Sequence, residues 1–174
     1  MNNILLVPPD DLKKYGLITS NVDVSYINPC IISAQDIDLQ QLIGTKLYKR
    51  LLSEIKNRDE IENYTIPEDY QTLLTDFIEP YLLQMVQSIM CVSEYAQFRN
   101  NGMSIPTGEY DMKASISECQ YLKNYFEGKA KFYSERIIKY LKANTNLYPE
   151  FCSYDCCSDL KPNDTSTFQC GIVL

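Results

Sequence analysis

Apolar residues recur at steps of three and four through the middle of this chain, and the recurrences predict four helices. The first is expected to start with Asn28 at the N-cap and Pro29 at the first helical position. It runs through Ile31, Ala34, Ile37 and Leu42 to Gly44. A second begins at once, capped by Thr45, with Leu47, Tyr48, Leu51, Leu52 and Ile55 as one apolar stripe. Residues 57–65 are polar and read as a loop. Pro67 opens a third helix, whose apolar positions keep the helical period from Tyr70 through Phe77, Tyr81, Met85 and Ile89 to Ala96. Pro80 lies inside it, removes one hydrogen bond and crowds the preceding turn, so a kink is expected near residues 76–80. The stretch YLLQMVQSIMCV is apolar on more than one side, the pattern of a helix covered by its own bundle or by a neighbouring subunit. Asn100, Asn101 and Gly102 end this helix, and a loop with Pro106 and Gly108 follows. The fourth helix is expected from roughly Lys113 to Ala143, with Cys119, Leu122, Phe126, Ala130, Tyr133, Ile137 and Leu141 on its stripe.

Both ends lack this period. Residues 1–28 hold Pro8-Pro9 and a short turn, capped by Asp10 or Asp11 and ended by Gly16; residues 17–23 read as extended or irregular. Beyond Asn144 come Pro149, Pro162 and a polar run, and residues 168–174 fit a short terminal strand. The fold class expected is all-α: a bundle of about four helices over 29–144, an N-terminal arm over 1–28 and an extended C-terminal arm over 145–174. Arms of that length are usually functional or disordered, and their Ile, Val, Tyr and Phe content predicts that they dock on something.

Composition narrows the function classes. The 174 residues suffice for one domain with a core, and 45% apolar with 22% charged residues is ordinary for a globular chain. Tyrosine stands out, with 14 copies against no tryptophan, and suits both cores and interfaces. The net charge is −7, with the 16 basic residues scattered among 23 acidic ones. Gripping of a phosphate backbone needs clustered Lys and Arg, so sequence-specific nucleic-acid binding is not expected. No apolar run approaches the length of a membrane span, and MNNILLVPPDDL lacks the basic start and apolar length of a signal peptide. Seven cysteines without a secretory signal then read first as thiols in a reducing compartment.

Candidate chemistry is sparse. Histidine is absent, which removes the commonest general base, the His-dependent nucleophile pairs and every His-containing metal site. No phosphate-binding glycine loop, nucleophile elbow or calcium loop is present. Asp36, Asp38, Glu60, Glu62, Glu68, Asp69, Asp76 and Glu79 read as solvated helix and loop faces. Cys152, Cys156, Cys157 and Cys170 lie in the final stretch, but their spacing departs from the paired pattern of a structural zinc site. Partly buried thiols acting as small apolar contacts are the leading reading there, beside a disulfide or a metal site. Cys30, Cys91 and Cys119 fall on helical stripes and read as core. No catalytic, cofactor or metal residues are assigned.

The order of several motifs resembles the head-to-tail connector proteins of tailed phages, more narrowly those of Bacteroidetes and crAss-like phages. The residues that carry it are Asn21-Val22-Asp23, Ile27-Asn28-Pro29, Ile32-Ser33-Ala34-Gln35-Asp36 and Leu42-Ile43-Gly44-Thr45-Lys46-Leu47-Tyr48. Phe77-Ile78-Glu79-Pro80, Gly102, Lys113-Ala114-Ser115, Tyr140-Leu141, Asn146, Tyr148 and Pro149 also fit, so that most of residues 15–150 is covered. The resemblance implies a helical adaptor in the neck of a virion, made in the host cytoplasm and assembled as a ring, typically twelve-fold, beneath the portal protein. Its partners would be further copies of itself, the portal and neighbouring neck or tail rings, with genomic DNA passing through the lumen unread. The contact residues expected are Tyr15, Ile18, Val22, Tyr81, Met85, Tyr95, Tyr148, Phe151, Phe168, Ile172, Val173 and Leu174. The rival reading is a helical interaction or scaffold module of a bacterial cell; a thiol or metal enzyme built on the terminal cysteines ranks third.

Overall fold

The computed structural model describes residues 4–93, 115–151 and 160–162, and the backbone alone of 97–99, 102–104 and 152. Its body is all-α. Helix α1 (Pro9–Tyr15) starts behind Pro8, carries Asp10 and Asp11 at its positive end and Lys13 and Lys14 at its negative end, and stops at Gly16. Helix α2 (Val24–Ser33) is capped by Asp23, whose carboxylate accepts the Ser25 N–H at 2.7 Å. This corrects the start expected at Asn28, because Pro29 sits inside the helix. The Asp23 cap, about 1 kcal/mol, and the complete burial of Ile27, about 2 kcal/mol, offset the roughly 3 kcal/mol of an interior proline. The boundary expected between residues 28 and 29 therefore falls within a helix.

From α2 the chain continues helically through a π segment (Ala34–Leu39) into α3 (Gln40–Ile43) and breaks at Gly44, whose φ of +83° favours glycine. Helix α4 (Thr45–Glu60) follows at once, with Leu47, Tyr48, Leu51, Leu52 and Ile55 buried as the period predicts. Gly44, not Thr45, occupies its N-cap. Beyond Pro67, α5 (Glu68–Thr72), a second π segment (Leu73–Ile78) and α6 (Glu79–Ser93) form one continuous helical run. The Glu79 N–H reaches back five residues to the Leu74 carbonyl, so the widened turn falls just ahead of Pro80.

Residues 97–99 and 102–104, read from sequence as a helix end and loop, instead form a short antiparallel ladder. Strands β1 (Gln97–Arg99) and β2 (Gly102–Ser104) pair Phe98 with Met103. Helix α7 (Ile116–Ala143) begins with a capping box, in which the Ser115 hydroxyl takes the Glu118 N–H and the Glu118 carboxylate takes the Ser115 N–H. A last turn, α8 (Pro149–Cys152), lies against α4.

The principal helix pair is α6 against α7, with the run from α2 to α3 laid across α6. Leu12, Ile31, Leu39, Ile43, Leu51, Leu73, Leu82 and Ile137 are fully buried between them. The described part of the N-terminal arm belongs to this core, since Leu6, Val7, Leu12, Ile18 and Ile27 are all buried in it. Two glutamines hold the arm in place. Gln35, fully buried, accepts the Leu6 N–H at 3.1 Å and donates to the Ile4 carbonyl at 2.9 Å. Gln87 accepts the Leu17 N–H at 2.7 Å and donates to the Leu83 carbonyl at 2.7 Å. Gln35 acts as a piece of backbone would, offering a donor and an acceptor to chain that has no ladder partner, whereas Gln87 gives the arm its acceptor and directs its donor to its own helix.

Candidate functional site

The sequence-predicted contact residues separate once the chain is folded. Ile18, Tyr81 and Tyr148 are buried in the chain's own core, which removes them from an outer surface. Val22, Met85 and Phe151 are half-buried against that core, and Tyr15 is 64% exposed. Tyr95, Phe168, Ile172, Val173 and Leu174 lie outside the described residues, as do the expected terminal strand and Cys156, Cys157 and Cys170. Of the four other cysteines, Cys152 is described by its backbone alone, Cys30 is buried as expected, and Cys91 and Cys119 are half-buried.

Tyrosines gather at the end of the body where α8 returns. Tyr148 donates its hydroxyl to the Asp69 carbonyl at 2.8 Å and lies 3.2 Å from the Tyr140 hydroxyl. Its ring meets Tyr70 edge-on at 5.6 Å, while Tyr140 stacks on Phe77 at 4.1 Å. Tyr70 in turn donates to the Glu150 carboxylate at 3.1 Å, and the Arg50 guanidinium lies over its ring. Arg50 pairs at 2.6 Å with Glu54, which is 1% exposed and also accepts the Tyr64 hydroxyl. Burial and the hydroxyl of Tyr140 push the Tyr148 phenol well above its usual range. These groups are satisfied by one another and hold α4, α5, α7 and α8 together. Glu54 is a charge that its position on an otherwise apolar stripe could have flagged.

Asp36 and Asp38 read from sequence as solvated, and both are instead half-buried. Asp36 accepts the buried Tyr48 hydroxyl, whose titration is pushed up by burial and then by that carboxylate. Asp38 lines an open pocket of about 290 Å³ between the first π segment, α3, α6 and α7, together with Tyr81, Met85, Glu127, Lys131 and Ser134. Burial, and then the nearby Glu127 carboxylate, raise the Asp38 carboxyl above its ordinary value. Tyr81 is raised too, by burial and by Asp38. The Ser134 hydroxyl donates to the Lys131 carbonyl of its own helix at 2.7 Å, so it faces away from a nucleophile's task. The pocket can hold a proton, but it brings no nucleophile and base together. Glu79, the other misread acid, is half-buried and raised by burial and by Asp11 and Asp76.

The surface of α7 has two apolar faces. Phe126, Ala130, Ile137 and Leu141 face the core as the stripe predicts. Leu122, expected with them, is 41% exposed. On the far side Tyr121, Tyr125 and Phe132 are exposed at 71%, 46% and 63%. Among the described residues no three Cys, Asp or Glu side chains group closely enough to hold a metal, and no helix is long and apolar enough to cross a membrane.

The fold and its contacts define a small all-α protein whose buried polar groups hold its own ends and whose longest single α-helix offers an aromatic outer face. The chain belongs to DUF6712, a family of unknown function, which matches residues 39–160. No curated protein and no solved structure matches it.

Proposed function

We propose that this chain is a non-catalytic virion structural protein, one subunit of a head-to-tail connector ring in the phage neck. It joins portal to tail there and lines part of the path of the DNA. The observation that carries the reading is the second apolar face of α7, with Tyr121, Tyr125 and Phe132 turned away from the chain's own core. The motif order across residues 15–150 gives the kind of assembly, and the acidic balance of the chain suits a wall past which DNA moves without adhering. In this reading the body is a bundle of about four helices whose third bends at Pro80, and the segment beyond Pro162 reaches a neighbouring subunit or ring. The half-buried Val22, Met85 and Phe151 and the exposed Tyr15 stay as contacts at its margins.

Mass spectrometry and electron cryo-microscopy of purified particles test the proposal. Many copies per particle, arranged as a ring below the portal, are expected. Absence from particles would overturn it in favour of a cellular interaction module.

A further inference from the structure

Helix α7 differs in charge from the rest of the chain. Between Ile116 and Ala143 it carries six basic residues against three acidic ones, in a chain whose net charge is −7. Its outward aromatics share one face, because Tyr121, Tyr125, Gly128 and Phe132 follow the i, i+4, i+7, i+11 recurrence. Lys139 continues that face, and Lys129 sits beside it with its ammonium 4.3 Å from the Tyr125 ring centre. Glu118 and Glu135 are the acids on the same side. At Gly128 nothing lies within 4 Å of the place a Cβ would take. The face is therefore aromatic at both ends and open in the middle, with Lys129 and Lys139 along it in the most basic helix of the described chain.

An opposite surface exists elsewhere on the same chain. Ile61, just past the end of α4, is 51% exposed, and the exposed acids Asp59, Glu60, Glu62, Glu68 and Asp69 around it in sequence outnumber the exposed bases Lys56 and Arg58, which pair with Glu60 and Asp59. The Tyr125 end of this face cannot meet that surface within one molecule. Asp69 is tied through Tyr148 to Tyr140, whereas Tyr125 stands fifteen residues earlier in α7, about 22 Å away along the helix.

We propose that the outward face of α7 docks on the acidic Ile61 surface of a second copy of this chain. This rests on the ring reading above and names the contact that builds the ring. Two different patches that fit each other across copies make a heterologous contact, which closes into a ring when the rotation allows. Three partly exposed aromatics fall short of the roughly 800 Å² per partner of a stable pair, so the contact is weak singly and gains strength when every subunit makes it twice.

The test places a photo-crosslinking amino acid at Tyr125 in the full chain, in cells producing it, and maps the product by mass spectrometry. A homotypic product joined to residues 56–69 of the second copy is expected. A homotypic product mapping elsewhere, a product with another protein, or no product overturns the inference. In the same background K129E with K139E should lower the yield about tenfold, and adding E60K with E62K should restore it to within about twofold. A yield unmoved by the first pair also overturns it. Particle composition answers the other question separately. A chain found in rings but linked elsewhere through Tyr125 sinks this contact alone, whereas a chain absent from particles yet linked as expected sinks the ring reading alone.

Discussion

Thr45 and Leu160, 115 residues apart, exchange two hydrogen bonds. The Thr45 N–H donates to the Leu160 carbonyl at 3.1 Å, and the Leu160 N–H donates to the Thr45 hydroxyl at 3.0 Å. Gln40 donates to the same hydroxyl at 3.0 Å. One residue earlier, a Cβ on Gly44 would stand 2.8 Å from the Pro162 ring. The break between α3 and α4 is thus also the seat of the C-terminal segment, and it demands glycine twice, for its φ of +83° and for the proline against it.

Gly44→Ala is expected to destabilise the chain by about 2 kcal/mol, combining the backbone conformation with the clash. Urea unfolding measures it. Adding Pro162→Ala should recover part of the loss and not all, because it relieves the contact and leaves the φ. Full recovery would show that backbone conformation contributes nothing at this position.

Gln35→Leu removes the partners of the Leu6 N–H and the Ile4 carbonyl at a site of 0% exposure. One buried and one half-buried backbone group left without partners cost on the order of 1–3 kcal/mol. Hydrogen exchange should accelerate at Leu6 and Val7 well before the helical body is affected. Equal acceleration throughout would mean that the arm and the body unfold as one unit.

Tyr148→Phe keeps the buried ring and deletes the hydroxyl that bonds to the Asp69 carbonyl. A loss of about 1 kcal/mol is expected, against about 3–5 kcal/mol for Tyr148→Ala, which also leaves a cavity. Thermal unfolding of the two variants separates the bond from the packing. Similar losses for both would mean that the hydroxyl, not the ring, holds this end together.

Asp38 gives a pH dependence of determinate sign. Its folded carboxyl titrates above its ordinary value, so between the two values the folded state binds more protons than the unfolded one. Stability from this group is therefore greatest in acid and falls as pH rises through that window. Asp38→Asn should raise the melting temperature at about pH 7 and change it little at about pH 3.5. An equal gain at both values would assign the effect to packing rather than to charge.

The period of apolar residues determined the helical body, and it did so because a buried helix face must recur at three and four. The stripe of α4, the break at Gly44, the opening at Pro67 and the end of α7 near Ala143 follow from that local rule. Pro29 shows where a local rule gives way: burial of Ile27, a gain that only packing supplies, carried the helix back across a residue that normally opens one. The polar groups that bind the ends were legible as residues and not as contacts. Nothing near Gln35 in sequence announces Ile4 and Leu6, nothing near Thr45 announces Leu160, and Asp38 reads as a surface acid until α6 and α7 pack beside it. The outward face of α7 has the same status, since its recurrence lies in the sequence beside an equally regular core stripe. Which of the two stripes stays uncovered is a property of how helices pack, and the tertiary structure alone decided it.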